Sequence, residues 1–143
     1  MKAKNFVVIP LLAALLIAGC DLFAPFSIDA ALGEWDFPDR TISGKAATSV
    51  HLSVMSNGQM LDMRWDTSEN GYLFACDGAM NKNVFTGTYI GWDSMLPLGD
   101  NEIVSGAAIT ATLSMSGGKI SISFSGSGPL NGVTVTEGTL SAI

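Results

Sequence analysis

The residues best able to do chemistry in this chain form an oxygen-rich run between Asp66 and Asp77. Oxygen-bearing side chains alternate there as Asp66, Ser68 and Asn70, a glycine follows, and Asp77 closes the run. This spacing matches the ligand positions of a calcium-binding loop, in which alternate oxygens converge around a bend that glycine permits. Neither flank has helical periodicity, however, and the same residues are typical of a hairpin turn. We therefore predict no metal cofactor and no calcium, with Asp66, Ser68, Asn70 and Asp77 as the weak candidate ligands.

Catalytic residues are sparse. The single histidine, His51, is predicted on an outer sheet face beside Arg64, and a cationic neighbour makes an imidazole a poor base. No serine stands in a nucleophile-elbow sequence, and no glycine-rich phosphate loop occurs. We therefore expect a protein without enzyme activity and predict no catalytic residue.

Four aromatic residues form the other candidate site. Trp65, Tyr72 and Phe74 share one face of two successive predicted strands, and Trp35 lies in the first predicted strand. Such side chains either line an apolar ligand cavity or fill a core. We favour core filling in a domain of this size, and these four residues are the candidate ligand-binding set.

The predicted domain follows a distinct N-terminal segment. Two lysines precede an apolar run of about 13 residues, whereas a membrane span needs roughly 20, and small residues then lead into Cys20. This order is that of a secretory signal peptide. The ending Ile17-Ala18-Gly19-Cys20 resembles the lipobox of bacterial lipoproteins.

The resemblance implies cleavage before Cys20 and attachment of a diacylglyceryl thioether and an N-acyl chain to that residue. The expected organisation is a signal peptide at 1–19, a lipidated tether at 20–30 and a single β domain at 31–143. The protein is then expected in the bacterial cell envelope, anchored to the inner or the outer membrane by its lipid. Cys76 is left as a lone thiol, which we expect to be a small buried hydrophobe.

Charge excludes one class of partner. The chain has 7 basic and 13 acidic residues and a formal net charge of −6. Cleavage would remove Lys2 and Lys4 and leave 5 − 13 = −8. Such a chain repels phosphate, so we do not expect nucleic acid as a partner. The expected partners are the membrane, through the lipid, and an apolar ligand or an envelope protein.

Two dipeptides predict hairpins whose faces separate cleanly into apolar and polar. Asn57-Gly58 is typical of a two-residue turn and places positions summing to 115 opposite one another, among them Val50 and Trp65. The same register places His51 opposite Arg64. Gly117-Gly118 predicts pairs summing to 235. A slip of one residue would mix the faces in either hairpin, which supports both registers.

Asn70-Gly71 predicts a third hairpin. With a two-residue loop, the opposed positions sum to 141, which places Trp65 opposite Cys76 on the apolar face. On the outer face, Arg64 is then opposite Asp77. This register assigns the lone thiol to the core.

Period-2 alternation continues from the first predicted strand, 32–37, to the C-terminus, and no segment has convincing helical periodicity. We therefore predict an all-β domain, an antiparallel meander of about eight strands. Such a meander can close into an up-and-down barrel, and a two-layer β-sandwich is the alternative.

Two short motifs are similar to those of known barrels. Gly33-Glu34-Trp35 resembles the Gly-x-Trp near the start of lipocalin-like barrels, whose Trp plugs one barrel end, and Thr86-Gly87-Thr88-Tyr89 is similar to a strand of avidin-like barrels. The other lipocalin motifs are not visible, so the ligands of that family do not carry over. We expect an envelope protein that binds a small apolar ligand or a protein partner; a structural lipoprotein with a filled core and no pocket is the alternative.

Overall fold

The computed structural model describes residues 26–56 and 60–142. Cys20 and the Asn57-Gly58 turn lie outside the described residues. Within these ranges the elements in chain order are a one-turn helix and nine strands: α1 Ile28–Ala31, β1 Gly33–Phe37, β2 Arg40–Ile42, β3 Lys45–Val54, β4 Met60–Asp66, β5 Gly71–Asn81, β6 Val84–Asp93, β7 Glu102–Ser116, β8 Lys119–Gly126 and β9 Thr134–Leu140. Among these residues, no helix is both long and apolar enough to cross a membrane.

The strands form a closed antiparallel barrel. Each strand from β3 to β8 pairs with the next along the chain, and β1 pairs with both β9 and β3, which closes eight strands into a ring. β2 is an additional strand that pairs with the first residues of β3. The prediction of an all-β up-and-down barrel is therefore confirmed, and the sandwich alternative is wrong.

Antiparallel up-and-down pairing sorts the connections to two ends of the barrel. Helix α1 and the turns at 82–83 and 117–118 lie at one end, which we call the N-terminal end. The connections at 43–44, 67–70, 94–101 and 127–133 lie at the other, which we call the loop end. The helix falls partly within the segment expected to be a tether without helix.

Side chains from both ends cover the core. At the N-terminal end Ala31 of α1 is fully buried. At the loop end Leu130 is fully buried, its backbone N–H donates to the Tyr89 hydroxyl at 3.3 Å, and that hydroxyl donates to the carbonyl of Ser127 at 2.6 Å. The interior is thereby filled and closed by side chains.

Two of the three predicted hairpin registers are confirmed, with one local exception. β3 and β4 pair as predicted from His51 opposite Arg64 to Val54 opposite Leu61, and β7 and β8 pair throughout with positions summing to 235. The exception is a bulge between Thr48 and His51, where Ser49 has a φ of 50°. Val50 is therefore paired with Phe37 of β1 rather than with Trp65.

The predicted register of the β4–β5 hairpin is wrong. Trp65 is opposite Tyr72 and Arg64 is opposite Leu73, because the loop spans four residues, 67–70, rather than two. Thr67 organises this loop: its hydroxyl accepts the backbone N–H of Asn70 at 3.0 Å, and its own N–H donates to the Asn70 carbonyl at 2.8 Å. The shift of four positions is even, so every side chain keeps its predicted face.

Candidate functional site

Three of the four candidate aromatic residues lie together inside the barrel. The ring centroid of Trp65 is 5.4 Å from that of Tyr72 and 5.1 Å from that of Phe74, and Tyr89 packs edge-on against Phe74 at 5.9 Å. Trp65 and Phe74 are buried, and Tyr72 is partly buried near the loop end. The adjacent depression at the loop end has a volume of about 240 Å³. Because these rings pack against one another and most of them are buried, they are best described as core.

Trp35 is separate from that cluster. It is buried at the N-terminal end, where its indole N–H donates to the carbonyl of Ala31 at 2.8 Å. This bond holds helix α1 across the barrel end. The indole therefore closes the barrel instead of joining a ligand cavity.

The candidate calcium ligands are not assembled. Asp66 is opposite Gly71 at the loop end, whereas Asp77 is opposite Met60, six residues further along β4. Strand residues rise by about 3.4 Å each, so the two carboxylates lie roughly 20 Å apart along the strand. Asn70 is also occupied, because its side-chain amide donates to Asp93. Ser68 lies in the exposed turn. Among the described residues, no group of three or more His, Cys, Asp or Glu side chains could hold an ion.

Asp93 holds the loop end together. It is buried, and it accepts the backbone N–H of Gly71 at 3.2 Å and that of Met95 at 3.0 Å, besides the amide of Asn70. Burial opposes ionisation of this carboxyl, but the three hydrogen bonds together lower its pKa. Asp93 therefore joins the 67–70 loop to the 94–101 loop, and this link explains the four-residue β4–β5 connection.

The densest polar constellation lies on the outer face where β1 meets β3. His51 Nδ1 is 2.7 Å from Asp36 Oδ1, and His51 Nε2 lies against Glu34 Oε2. Ser53 donates to Glu34 at 2.8 Å, and Ser141 donates to Asp36 at 2.6 Å. Although it is on the outer face, His51 is only 8% exposed. His51 therefore bridges the two acidic side chains of β1.

These contacts favour the ionised carboxylates. The hydrogen bonds from Ser53 and then His51 lower the pKa of Glu34, and those from Ser141 and then His51 lower the pKa of Asp36. Neither serine donates to or accepts from the imidazole. The constellation therefore ties the barrel-closing strand β1 to β3 and to the C-terminal segment, and it lacks the serine–histidine contact that activates a nucleophile.

Asp62 lies beside this constellation and has a buried carboxylate oxygen, Oδ1, that forms no hydrogen bond. Burial and, secondarily, the neighbouring Glu34 raise the pKa of this carboxyl. A buried acceptor without a partner costs about 1–3 kcal/mol, so this oxygen is prepared to receive a donor.

Two adjoining grooves cross this outer face. The larger, about 630 Å³, passes over β3 to β5 between the β1–β2 connection and Ser94, and its ionisable residues are Asp36, Asp39, His51, Arg64 and Asp66. The smaller, about 260 Å³, includes Glu34, Ser53 and Asp62 and shares His51, Arg64 and Leu73 with the first. We call the two together the outer groove.

The 94–101 loop exposes apolar side chains where the outer groove reaches the loop end. Met95 is 63% exposed, Leu96 43% and Leu98 94%. Single exposed leucines are ordinary, but here three exposed apolar side chains lie within four residues of one loop, and exposed apolar patches mark interaction sites. We call these three residues the apolar loop.

No family model, curated protein or solved structure matches this chain.

The outer constellation is the feature that sequence reasoning missed. His51 was expected on the outer face beside Arg64, and that pairing is present. The roles of Glu34 and Asp36 were not foreseen, because they depend on the pairing of β1 with β3. The alternation Glu34-Trp35-Asp36, with two acids flanking a core residue, is the sequence signal that could have indicated an acidic outer face on β1.

Proposed function

We propose that this protein is a non-enzymatic lipoprotein of the bacterial envelope that binds a protein partner through the loop end of its barrel. The observation that carries the proposal is the apolar loop, whose Leu98 side chain is 94% exposed. Burying one leucine side chain contributes about 1.5–3 kcal/mol, so the patch can supply the centre of an interface.

The geometry of the anchor supports the same proposal. Lipid on Cys20 would hold the chain six residues before Phe26, and six residues span at most about 20 Å. Helix α1 begins two residues later at the N-terminal end of the barrel. The anchored domain would then face the membrane with its N-terminal end and direct the apolar loop away from it.

The filled interior argues against storage of an apolar ligand inside the barrel. Trp65, Phe74 and Tyr89, which could have lined a cavity, pack against one another. The same filled core is compatible with a purely structural lipoprotein, which is the second candidate. The two functions differ in whether a partner contacts the apolar loop.

Site-specific photo-cross-linking in cells that produce the full chain distinguishes them. A photoreactive residue at position 98 is expected to give a discrete cross-linked species. The matched control is position 116, which is exposed at the N-terminal end. Equal cross-linking at both positions, or none at position 98, would favour the structural lipoprotein.

The anchor is tested separately by mass spectrometry of the mature N-terminus. A triacylated Cys20 is expected, and Cys20→Ala should release the protein from the membrane fraction. An unmodified mature N-terminus would contradict the lipoprotein assignment and leave the cross-linking result interpretable.

A further inference from the structure

Three charges of alternating sign line the outer groove along one strand. Asp62, Arg64 and Asp66 all point outward from β4, since Leu61, Met63 and Trp65 between and beside them are buried. Successive side chains on one strand face are about 7 Å apart. We call Asp62, Arg64 and Asp66 the β4 charge row.

Among the described residues, the β4 charge row forms no close ion pair, although the positive charge of Arg64 also acts on Glu34 and Asp36. Glu34 and Asp36 are bonded to His51 and to serines. Within residues 26–56 and 60–142, by contrast, neither Arg64 nor Asp66 forms an ion pair, and Asp62 Oδ1 is buried without a partner. The unpaired charges on β4 are therefore two carboxylates around one guanidinium.

Each side chain of the β4 charge row is suited to bind a particular chemical group of a ligand. The buried oxygen of Asp62 needs a donor that can reach below the surface, and a lysine ammonium on its four-carbon stem can do so. The exposed guanidinium of Arg64 binds carboxylates in a bidentate geometry. Asp66 accepts a second cation. Leu73, 42% exposed and opposite Arg64, with Trp92 opposite Leu73, provides an apolar flank for aliphatic stems.

An extended polypeptide presents alternate side chains at the same spacing of about 7 Å. We propose that the outer groove binds an extended polypeptide segment of the partner that carries lysine, an acidic residue and lysine at alternate positions. This inference rests on the proposed function, because it assumes a protein partner, and it adds the chemistry of that partner. The formal net charge, −6 for the whole chain and 5 − 13 = −8 after cleavage, favours such a basic segment over an acidic one.

Titration of the full chain, purified in a neutral detergent, with three blocked pentapeptides tests the proposal. The first peptide is Lys-Thr-Glu-Thr-Lys, the second is its scrambled form Lys-Lys-Thr-Glu-Thr, and the third is the charge-reversed Glu-Thr-Lys-Thr-Glu. Dissociation constants come from chemical-shift changes of the protein's backbone amides and of the Trp92 indole. The first peptide is expected to bind at least about threefold more tightly than the scrambled peptide, since each added ion pair contributes little at a surface. The largest shifts are expected on β4.

Variants of single carboxylates locate the site. Asp62→Asn and Asp66→Asn are expected to weaken binding of the first peptide about three- to fivefold and to remove its preference over the scrambled form. The matched control is Asp77→Asn, which removes the same charge from an exposed position on β5 outside the groove. The amide spectrum of each variant shows whether the fold is intact.

Equal affinity for the first two peptides would overturn the proposal, because binding would then follow net charge alone. Tighter binding of the charge-reversed peptide, shifts that lie away from β4, or an equal effect of Asp77→Asn would also overturn it. Absence of binding by all three peptides would overturn it as well. Cross-linking at position 98 is independent of these outcomes, so a failure here leaves the proposed function standing.

Discussion

Replacement of Gly91 by alanine is the sharpest test of how the barrel interior is packed. Gly91 lies opposite Phe74 on the neighbouring strand, and a Cβ atom at this position would be 2.5 Å from Phe74 Cδ1 and 2.7 Å from Val104 Cγ1. Ordinary carbon–carbon contacts are about 3.5–4.0 Å, so the ring must move by about 1 Å. Phe74 is fully buried with Trp65 at 5.1 Å between ring centroids, which leaves little room for that movement.

These contacts set the loss of stability that Gly91→Ala is expected to cause. Overpacking of this kind typically costs about 1–3 kcal/mol, and the rigid neighbours favour the upper half of that range. Alanine also lowers the conformational entropy of the unfolded chain, which stabilises the folded protein by about 0.4–1 kcal/mol. We therefore expect Gly91→Ala to lower the free energy of unfolding by roughly 1–2.5 kcal/mol. Urea unfolding monitored by tryptophan fluorescence measures it, and the thermal midpoint should fall by about 4–10 °C.

A double-mutant cycle with Phe74→Leu identifies the cause. Leucine removes the ring atoms that the new methyl group meets, so Gly91→Ala should cost less in the Phe74→Leu background than in the natural protein. If Gly91→Ala leaves the urea midpoint unchanged, the close approach of Gly91 to the ring is wrong. If its cost is the same in both backgrounds, the ring is not the group it displaces.

Four further outcomes are expected. Trp65→Ala should lower the free energy of unfolding by roughly 3–5 kcal/mol, because a buried aromatic side chain leaves a cavity; an unchanged melting temperature would contradict its burial. The two β1 carboxylates have lowered pKa values, so the stability they contribute is present above their ordinary values of 4.5 and 3.8 and is lost as pH falls through the lower folded values. Urea unfolding between pH 6 and 3 should show this loss, discounted for solvent screening, and Ser141→Ala should reduce it. Burial, with a smaller effect of a neighbouring carboxylate, raises the pKa of Cys76 to about 12, so the thiol should react with iodoacetamide at pH 8 only after unfolding; rapid labelling of the folded chain would contradict its burial. Addition of a calcium chelator should leave the thermal midpoint unchanged, and a fall of many degrees would mean that Asp66 and Asp77 bind an ion after all.

The fold class and the inward or outward direction of most side chains could be predicted from the sequence alone. Period-2 alternation assigns each residue of a strand to one of two faces, and this depends only on local pattern. The β7–β8 hairpin is the clearest example, since Met115 is opposite Ile120 and Leu113 opposite Ile122 as predicted. Short glycine-containing turns make such pairs local along the chain.

The β4–β5 register was decided by tertiary contacts. In this hairpin, opposed residue numbers sum to 141 in the predicted register and to 137 in the observed one. Both registers separate apolar from polar residues equally well, because they differ by an even number of residues. The choice depends on Thr67 within the loop and on Asp93, which comes from the end of β6 and binds both Asn70 and Gly71. No pattern within the hairpin itself contains that information.

Some features of the candidate site could likewise be predicted from the sequence, and others depend on the tertiary structure. The sequence by itself determined that His51 and Arg64 share an outer face, and its N-terminal motif predicts lipidation at Cys20. Only the tertiary structure decided that Glu34 and Asp36 engage His51, because β1 pairs with β3 and not with β2, the next strand along the chain, which joins residues 15 and 17 apart. Closure of the barrel adds the contact of Ser141 with Asp36, since it pairs β1 with β9, and closure depends on the summed twist and stagger of eight strands. The partners on each strand face are therefore set by which strands pair, and local alternation sets only which face each residue occupies.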